Sequence, residues 1–309
     1  MKTCFFFPGQ GAQFSGMARD LYDYSAAVRE LFETATDVCK IDVARLMFEA
    51  DESELNRTDY TQIAMAVADT AAAIVCEEHG VRPDGVAGFS LGEYPALHAA
   101  GVLSTHDYLH LVKRRGELME KYSRQNDDDS GAAGLIAVLG LSRESASAVL
   151  DVLAEKGAFL ANHSSPSQLV IAGTGAGLEA AENAFTHAGA RRVVRLKVSG
   201  PFHSPLLEDA RREFEAELAG VPFGDPKIPV YANVTGRQIT SGAEAQKLCA
   251  QQIVSTVEWV AEEETILSTG FDRLLETGPG SVLTGLWRGY HRGDPSCKPA
   301  GTLEAIQSL

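Results

Sequence analysis

The pentapeptide Gly-Phe-Ser-Leu-Gly at residues 88–92 constrains the fold of this chain more than any other stretch. The apolar run 85–87 predicts the end of a buried strand, and the Leu- and Ala-rich run 91–100 predicts a helix. This order is typical of a nucleophile elbow, a turn so sharp that glycine is needed on both sides. The turn sets Ser90 at a helix N-terminus, where the free Leu91 amide favours developing negative charge. We therefore favour Ser90 as a nucleophile over a chance match in which it only caps a helix.

The composition is that of an ordinary globular protein. Of the 309 residues 45% are hydrophobic, and the formal net charge of −15 argues against nucleic acid or an anionic membrane as a partner. No apolar run reaches the length of a membrane span, and the N-terminal apolar stretch is too short for a signal peptide. Five scattered cysteines indicate buried thiols rather than disulfides or a zinc site: Cys4, Cys39, Cys76, Cys249 and Cys297. We expect a cytoplasmic protein without a metal site.

A change of pattern after residue 127 predicts a second structural unit. The polar segment 125–131 is the clearest linker of the chain. The elements after it are predicted in the β-α-β-β-α-β order of a ferredoxin-like unit: strand 134–139, helix 142–156, strands 159–161 and 168–172, helix 177–188 and strand 192–198. We predict a subdomain at 128–197, inserted into a larger α/β unit formed by 1–127 and 198–309.

A Gly-rich turn inside this insert imitates a dinucleotide-binding motif. Gly-Thr-Gly-Ala-Gly at 173–177 follows a predicted strand and opens a predicted helix. The sixth position of G-x-G-x-x-G is Leu178, however, and arginines stand where an acidic residue is expected about 20 positions later. We interpret the glycines as a strand-to-helix turn.

A nucleophilic serine needs a base, and His203 is the best candidate among eight histidines. It lies between Pro201 and Pro205, on a loop after a predicted strand, and the prolines would hold it rigidly. A lone loop histidine is more often simply solvated. His98, His106 and His110 lie in or beside helices near the elbow, and we expect them at the surface.

The predicted helix 104–122 carries three consecutive basic residues, Lys113, Arg114 and Arg115. Such a triplet usually forms a solvated face. Successive helical residues point about 100° apart, so the three cannot all face water equally. We predict that one arginine turns inward beside Ser90.

Together these stretches match a known family. The chain resembles the malonyl-CoA:acyl carrier protein transacylases through motifs in one order: Pro-Gly-Gln-Gly-Ala-Gln at 8–13, Gly-Phe-Ser-Leu-Gly-Glu-Tyr at 88–94, Arg115-Gly116, the segment Asn162 to Gly173, Gly-Pro-Phe-His-Ser at 200–204, Gln252 and Gly-Pro-Gly at 278–280. The resemblance spans nearly the whole chain. It implies an α/β fold in which an α/β-hydrolase-like core carries an inserted ferredoxin-like subdomain.

The resemblance also implies roles for individual residues. Ser90 would be the nucleophile and His203 the base, oriented by a main-chain carbonyl because no acid follows in the usual hydrolase order. The amides of Gln10 and Leu91 would form the oxyanion hole. Arg115 would bind the free carboxylate of malonate through two parallel hydrogen bonds. The remaining substrate-binding residues would be Gln252, Asn162 and Phe202, whose ring leaves little room for a 2-methyl branch.

The implied reaction is a ping-pong transfer of malonyl from malonyl-CoA to the phosphopantetheine thiol of acyl carrier protein, in fatty acid synthesis. No cofactor is expected, since coenzyme A enters as a thioester substrate, and we expect a monomer. One alternative is a free-standing acyltransferase that loads polyketide synthase carrier domains. Another is a serine thioesterase or hydrolase, which needs no Arg115 and no carrier protein. The least favoured alternative is a non-catalytic nucleotide-binding module.

Three positions depart from the family pattern, and one surface suggests a docking site. Many relatives have His at Phe89, whose side chain should point away from the reacting face; some have Asn at Ser164 and Lys at Ser281.

Carrier proteins are generally acidic, so this acidic chain needs a local basic surface to receive one. Strand alternation predicts such a stripe from Arg191, Arg195 and Lys197, unless these charges only solvate an edge strand.

Overall fold

The computed structural model describes residues 1–292, 294 and 296–309. The strands within these residues are β1 (Thr3–Phe7), β2 (Gly85–Gly88), β3 (Gly134–Leu139), β4 (Ala158–Ser165), β5 (Gln168–Gly173), β6 (Arg192–Arg195), β7 (Tyr231–Ala232), β8 (Arg237–Gln238), β9 (Arg273–Glu276) and β10 (Cys297–Pro299). The helices are α1 (Arg19–Tyr24), α2 (Ala26–Cys39), α3 (Val43–Phe48), α4 (Glu52–Leu55), α5 (Thr58–Glu78), α6 (Glu93–Ala99), α7 (Thr105–Ser123), α8 (Arg143–Ala154), α9 (Gly175–His187), α10 (Glu208–Leu218), α11 (Gly242–Gln252), α12 (Trp259–Thr269), α13 (Val282–Tyr290) and α14 (Leu303–Gln307). Short 3₁₀ turns lie at Ser90–Gly92, Arg124–Asn126 and Pro205–Leu207.

The larger unit is built on a parallel sheet with the strand order β10-β9-β1-β2. Every residue of β1 is buried, as expected where helices cover both faces of a parallel sheet. Successive side chains of β1 enter different apolar clusters: Phe5 and Phe7 on one face, Phe6 on the other. The last residue of β1, Phe7, pairs with the last residue of β2, Gly88. The loop after β1 and the turn after β2 therefore leave the same edge of the sheet.

The predicted ferredoxin-like pattern corresponds to a second sheet, which is antiparallel and has the order β4-β5-β3-β6. Side chains of α8 and α9 share an apolar cluster with these strands, around Ile136, Ile171 and Phe185. Within this unit the fourth, first, third and second strands lie side by side. The α/β class is thus confirmed, while the boundaries at 128 and 197 remain a prediction.

Several elements differ from the sequence-based expectation. Helix α3 was not predicted. Strand β4 is longer than the predicted 159–161, because register shifts keep it paired with β5 and Asn162 then bridges to Val257 of the larger unit. Strand β6 ends at Arg195, so strand alternation does not carry the predicted basic stripe on to Lys197.

Pro95 lies in the first turn of α6. The chain passes from β2 through a 3₁₀ turn before α6 begins at Glu93, so Pro95 is the third helical residue. The first amides of a helix have no acceptor within it, and a residue without an N–H therefore removes no helical hydrogen bond there.

The Gly-rich turn 173–177 connects β5 to α9. Thr174 caps the helix with its side chain, and Asp128 Oδ2 accepts a hydrogen bond from the Ala176 amide at 3.0 Å. A Cβ atom at Gly175 would lie 2.5 Å from the Asp128 carboxylate. An acidic side chain thus occupies the helix N-terminus at which a dinucleotide phosphate would bind.

All five cysteines are free and buried. In the part of the chain that the structure describes, no helix combines the length and apolar character needed to cross a membrane.

Candidate active site

The turn after β2 is the predicted elbow. Ser90 has a φ of 54°, in the left-handed region that L-residues rarely occupy. A Cβ atom at Gly88 would lie 2.0 Å from the Gly92 carbonyl, and one at Gly92 would lie 2.0 Å from the Phe7 carbonyl. Only glycine fits on either side of the serine, because the backbone folds directly onto itself and onto the end of β1.

The backbone amide after Ser90 is the first candidate oxyanion donor. The hydrogen bonds of the 3₁₀ turn begin at the Gly92 amide, which donates to the Phe89 carbonyl at 3.0 Å. The Leu91 amide therefore precedes the first bond of the turn, where helical amides lack an internal partner. Leu91, Ser90 and Gln10 line the same cavity, since the loops after β1 and β2 leave the same sheet edge.

His203 faces Ser90. Its Nε2 lies 2.7 Å from Ser90 Oγ, and its Nδ1 lies 2.8 Å from the main-chain carbonyl of Gln252. A carbonyl only accepts, so Nδ1 carries the proton and Nε2 is free to accept from the serine hydroxyl. The partner of Nδ1 is a backbone carbonyl rather than a carboxylate, so the arrangement is a Ser–His pair without the acid of the usual triad.

Burial and the nearby Arg115 charge lower the pKa of His203 to about 3. A protonated imidazole would be a cation inside a dry site that already holds a guanidinium. His203 is therefore neutral at neutral pH, which is the form that can take a proton from Ser90.

The arginine that turns inward is Arg115, which is 1% exposed. Its Nη1 donates to Gln62 Oε1 at 2.8 Å and its Nη2 donates to Gln252 Oε1 at 2.9 Å, while Nη2 lies 3.4 Å from Ser90 Oγ. Its Nε has no hydrogen-bond partner among the described residues. By contrast, Arg114 pairs with glutamates at the surface. The helical spacing thus places one fixed cation beside Ser90.

Asn233, which was not predicted, joins the two ends of the elbow. Its Nδ2 donates to the Gly88 carbonyl at 2.7 Å and to Glu262 Oε1 at 2.8 Å. Its Oδ1 accepts from the Ser90 amide at 2.6 Å and lies 3.3 Å from Gln252 Nε2. These contacts use all the hydrogen-bonding groups of the amide. The residue follows the two-residue strand β7, and no sequence motif marks it.

Gln62 and Gln252 bracket the guanidinium of Arg115 from two helices. Gln252 was predicted by resemblance, and its side chain also donates to the Ser90 carbonyl at 3.0 Å. Gln62 was missed. It is a buried amide on α5, a helix that also buries Asp69 and three threonines, so the sequence offers no signal that singles it out.

The cavity that Ser90 and His203 line has a volume of about 180 Å³. The predicted residues Asn162 and Phe202 line it and are 6% and 5% exposed, and Ser164 lines it as well. Asn162 Oδ1 is buried without a hydrogen-bond partner in the described chain. The cavity walls are thus mainly apolar, and a buried amide oxygen without a partner belongs to one of the lining residues.

The other two departures from the family pattern are Phe89 and Ser281. Phe89 was expected to point away from the reacting face; it packs edge-on against Trp259, with ring centroids 5.4 Å apart, but it also borders the cavity. Ser281 precedes α13 without a side-chain capping bond and lines a different cavity.

Similarity to known proteins agrees with this geometry. The family model described as "Acyl transferase domain" matches residues 4–305. The malonyl CoA-acyl carrier protein transacylase of Bacillus subtilis is 36% identical over 293 residues, covering 94% of this chain and 91% of that protein. The polyketide biosynthesis protein ThaF of Burkholderia thailandensis is 40% identical over 285 residues, but these cover only 24% of its length.

A solved structure gives the same result for the fold. The malonyl CoA-acyl carrier protein transacylase of Coxiella burnetii superposes with a TM-score of 0.94 at 30% identity, covering 100% of this chain and 96% of that one. The family predicted from the sequence motifs is therefore confirmed. The chain belongs to the acyl transferase family, and within it to the malonyl-CoA:acyl carrier protein transacylases.

Proposed function

We propose that this acyltransferase works through a malonyl ester on Ser90, with His203 as the base. Ser90 Oγ bonds to the thioester carbonyl carbon while its proton passes to His203 Nε2. The amides of Gln10 and Leu91 donate to the oxyanion. The carbon–sulfur bond then breaks, and the departing coenzyme A sulfur takes the proton from His203. The observation that carries this mechanism is the 2.7 Å contact between Ser90 Oγ and the unprotonated Nε2.

Arg115 selects an acyl group that ends in a carboxylate. Its guanidinium is fixed by two amide oxygens, and its Nη2 lies 3.4 Å from the nucleophile. A carboxylate one carbon beyond the thioester carbonyl falls within reach of that cation, and a planar guanidinium donates two parallel bonds to it. Acetyl groups gain nothing from this contact, so malonyl is favoured.

The second half-reaction transfers malonyl to acyl carrier protein. The phosphopantetheine thiol gives its proton to His203 and attacks the ester carbonyl, and Ser90 leaves with the returned proton. Asn162 and Phe202 line the cavity and are proposed to contact the entering chain or the acyl group. The cycle is ping-pong, with coenzyme A thioester as substrate and no further group required.

The carrier protein is proposed to dock beside the cavity on a basic surface around Lys197. Lys197 is exposed and lies between Leu196 and Val198, which both line the cavity. Arg191 is exposed as well. Arg195 is less available, because its Nε lies 2.6 Å from Glu182. The revised surface therefore rests on Arg191 and Lys197.

The pathway served is fatty acid synthesis, in keeping with the full-length match to free-standing transacylases. The second candidate is the loading of polyketide carrier domains, favoured by the 40% identity to a segment of a polyketide biosynthesis protein. Transfer rates to the fatty acid carrier protein and to a polyketide carrier domain, compared side by side, separate the two. We propose a monomer, and the free buried thiols suit the cytoplasm.

The test is mass spectrometry after brief exposure to malonyl-CoA. We expect one malonyl adduct on the peptide that contains Ser90, removed by added holo acyl carrier protein. The Ser90→Ala variant should keep its fold and lose both adduct and transfer. Transfer by this variant at near the parent rate would refute the assignment of the nucleophile.

A further inference from the structure

The buried carboxyl group of Glu93 is connected to the guanidinium of Arg115 through a single side-chain amide. Glu93 is 1% exposed and begins α6. Gln252 joins the two groups, since its Oε1 accepts from Arg115 Nη2 at 2.9 Å and its Nε2 donates to Glu93 Oε2. The other carboxyl oxygen of Glu93 has no hydrogen-bond partner among the described residues. The acid therefore faces the guanidinium across a neutral side chain rather than in an ion pair.

This arrangement gives the site two charge states. An ionised Glu93 offsets the charge of Arg115, whereas a protonated Glu93 leaves that cation uncompensated. Charges interact strongly in a water-poor interior, so the difference reaches any anion bound at the guanidinium. The hydrogen bond from Gln252 survives in both states, because a neutral carboxyl oxygen also accepts.

We propose that Glu93 is a specificity-determining residue, which weakens the binding of dicarboxylic acyl thioesters when it is ionised and strengthens it when it is protonated. By linkage, the arrival of the substrate carboxylate at Arg115 raises the protonated fraction of Glu93, with uptake of protons from solvent. The binding affinity for acyl groups without a free carboxylate does not depend on the charge of Glu93. This proposal rests on the assignment of Arg115 to the malonyl carboxylate.

The titratable groups packed around Glu93 are buried as well. Burial raises the pKa of Glu93 to about 7, against the Gln252 hydrogen bond and the Arg115 charge, which lower it. Burial raises the pKa of Glu262, on α12, well above its ordinary range, and Glu93 itself adds to that rise. Burial also raises the pKa of the neighbouring Tyr94 and of Cys249, on α11.

The two basic groups of the site, Arg115 and His203, each keep one charge state near neutral pH. Burial lowers the pKa of Arg115, but a guanidinium stays protonated in proteins. His203, whose pKa burial lowers to about 3, stays neutral. Glu93 is thus the buried acid that a side-chain amide connects directly to the guanidinium, and it titrates near neutral pH.

The first test compares malonyl-CoA with acetyl-CoA on the parent enzyme. We expect the KM for malonyl-CoA to rise about threefold to tenfold from pH 6 to pH 9, since one pKa unit of coupling corresponds to tenfold in binding. The KM for acetyl-CoA should show no such step. Both thioesters carry the same coenzyme A phosphates, so the comparison cancels their ionisation.

The second test counts protons. The Ser90→Ala variant binds malonyl-CoA without turnover, and calorimetry in two buffers of different ionisation enthalpy gives the number of protons taken up. We expect net proton uptake near pH 8 with malonyl-CoA, in excess of the value with acetyl-CoA.

The variant Glu93→Gln keeps the shape and the acceptor of the protonated acid but cannot ionise. It should lose the pH step in the malonyl-CoA KM. Glu263→Gln is the matched control: Glu263 is another buried acid, with a pKa that burial raises to about 8, but it bonds to Trp259 instead of Gln252. That variant should keep the step.

Equal pH dependence for the two thioesters in the parent, or a step that persists in Glu93→Gln, would overturn the proposal. If Glu93→Gln does not fold, as judged by circular dichroism, the parent comparison and the proton count still decide. Absence of a malonyl adduct on Ser90 would instead count against the proposed function, so the two failures are distinguishable.

Discussion

Ser90 and His203, which are 113 positions apart in the chain, meet at 2.7 Å and both have positive φ angles, 54° and 58°. Each such conformation costs on the order of 1–3 kcal/mol for a residue other than glycine and persists only where its surroundings enforce it. Asn233 holds the Ser90 amide, and Ser204 Oγ donates to the Pro201 carbonyl beside His203 at 2.6 Å. The pair is thus held in place before substrate arrives.

The first prediction concerns the base. His203→Ala should slow malonylation of Ser90 by roughly two to four orders of magnitude, the usual loss when a general base is removed. Rapid-quench labelling with malonyl-CoA measures the step. His187→Ala, a change at an exposed histidine, is the control and should react like the parent. A loss below about tenfold in His203→Ala would point to another base.

The second prediction concerns pH. The base must be neutral, and its pKa is lowered from the ordinary 6.5 to about 3, so protonation removes activity only in strong acid. The kcat/KM for malonyl-CoA, which reports the free enzyme, should not fall from about pH 7 down to about pH 5. A histidine with the ordinary pKa would retain only about 3% of its neutral form at pH 5. A profile that falls through pH 6.5 while circular dichroism shows a folded protein would contradict the burial argument.

The third prediction concerns acyl selectivity. Arg115→Ala should lower kcat/KM for malonyl-CoA by at least about a hundredfold and spare or improve acetyl transfer, because only malonyl uses the guanidinium. Competition between the two thioesters gives the ratio directly. Arg114→Ala, one residue earlier and paired at the surface, is the matched control. Equal impairment toward both substrates would make Arg115 a structural residue.

The fourth prediction concerns Asn233. Asn233→Ala removes the acceptor of the Ser90 amide and the donor to the Gly88 carbonyl, so the strained turn loses its clamp. We expect kcat for acylation to fall about tenfold or more while KM changes little, because Asn233 positions the nucleophile and does not touch substrate. Asn233→Asp, which keeps the acceptor, should retain more activity than the alanine variant. A change in KM alone would assign Asn233 to substrate binding.

The fifth prediction concerns the carrier protein. Reversing Arg191 and Lys197 to glutamate should raise the KM for acyl carrier protein and leave malonylation of Ser90 by malonyl-CoA unchanged. Added salt should weaken the parent's response to carrier protein, since screening limits surface fields to about 8 Å at physiological strength. Arg237→Glu, at an exposed arginine on β8, is the control. An unaltered KM would move the search to the surface of Lys113 and Arg114.

The chain's local patterns determined most of its elements and its family. The strand 134–139 was predicted with its observed bounds, since a short apolar run after a polar linker is typical of a buried strand. The motif around Ser90 was enough by itself to predict the elbow, because only glycine tolerates the backbone contacts that the turn imposes. Helical spacing was enough to predict that one arginine of the triplet turns inward, although not which one.

Tertiary structure alone decided how distant residues share these roles. Asn233 has no local signal, because its function comes from lying beside an elbow 143 positions away. The predicted basic stripe included Lys197, which lies beyond the end of β6. The end of a strand depends on its pairing partner as well as on its own alternation. Glu93 stands in the motif without an evident role, and only the fold reveals that Gln252, from α11, sets it against Arg115, from α7. Charge coupling depends on distance and burial, and a sequence records neither.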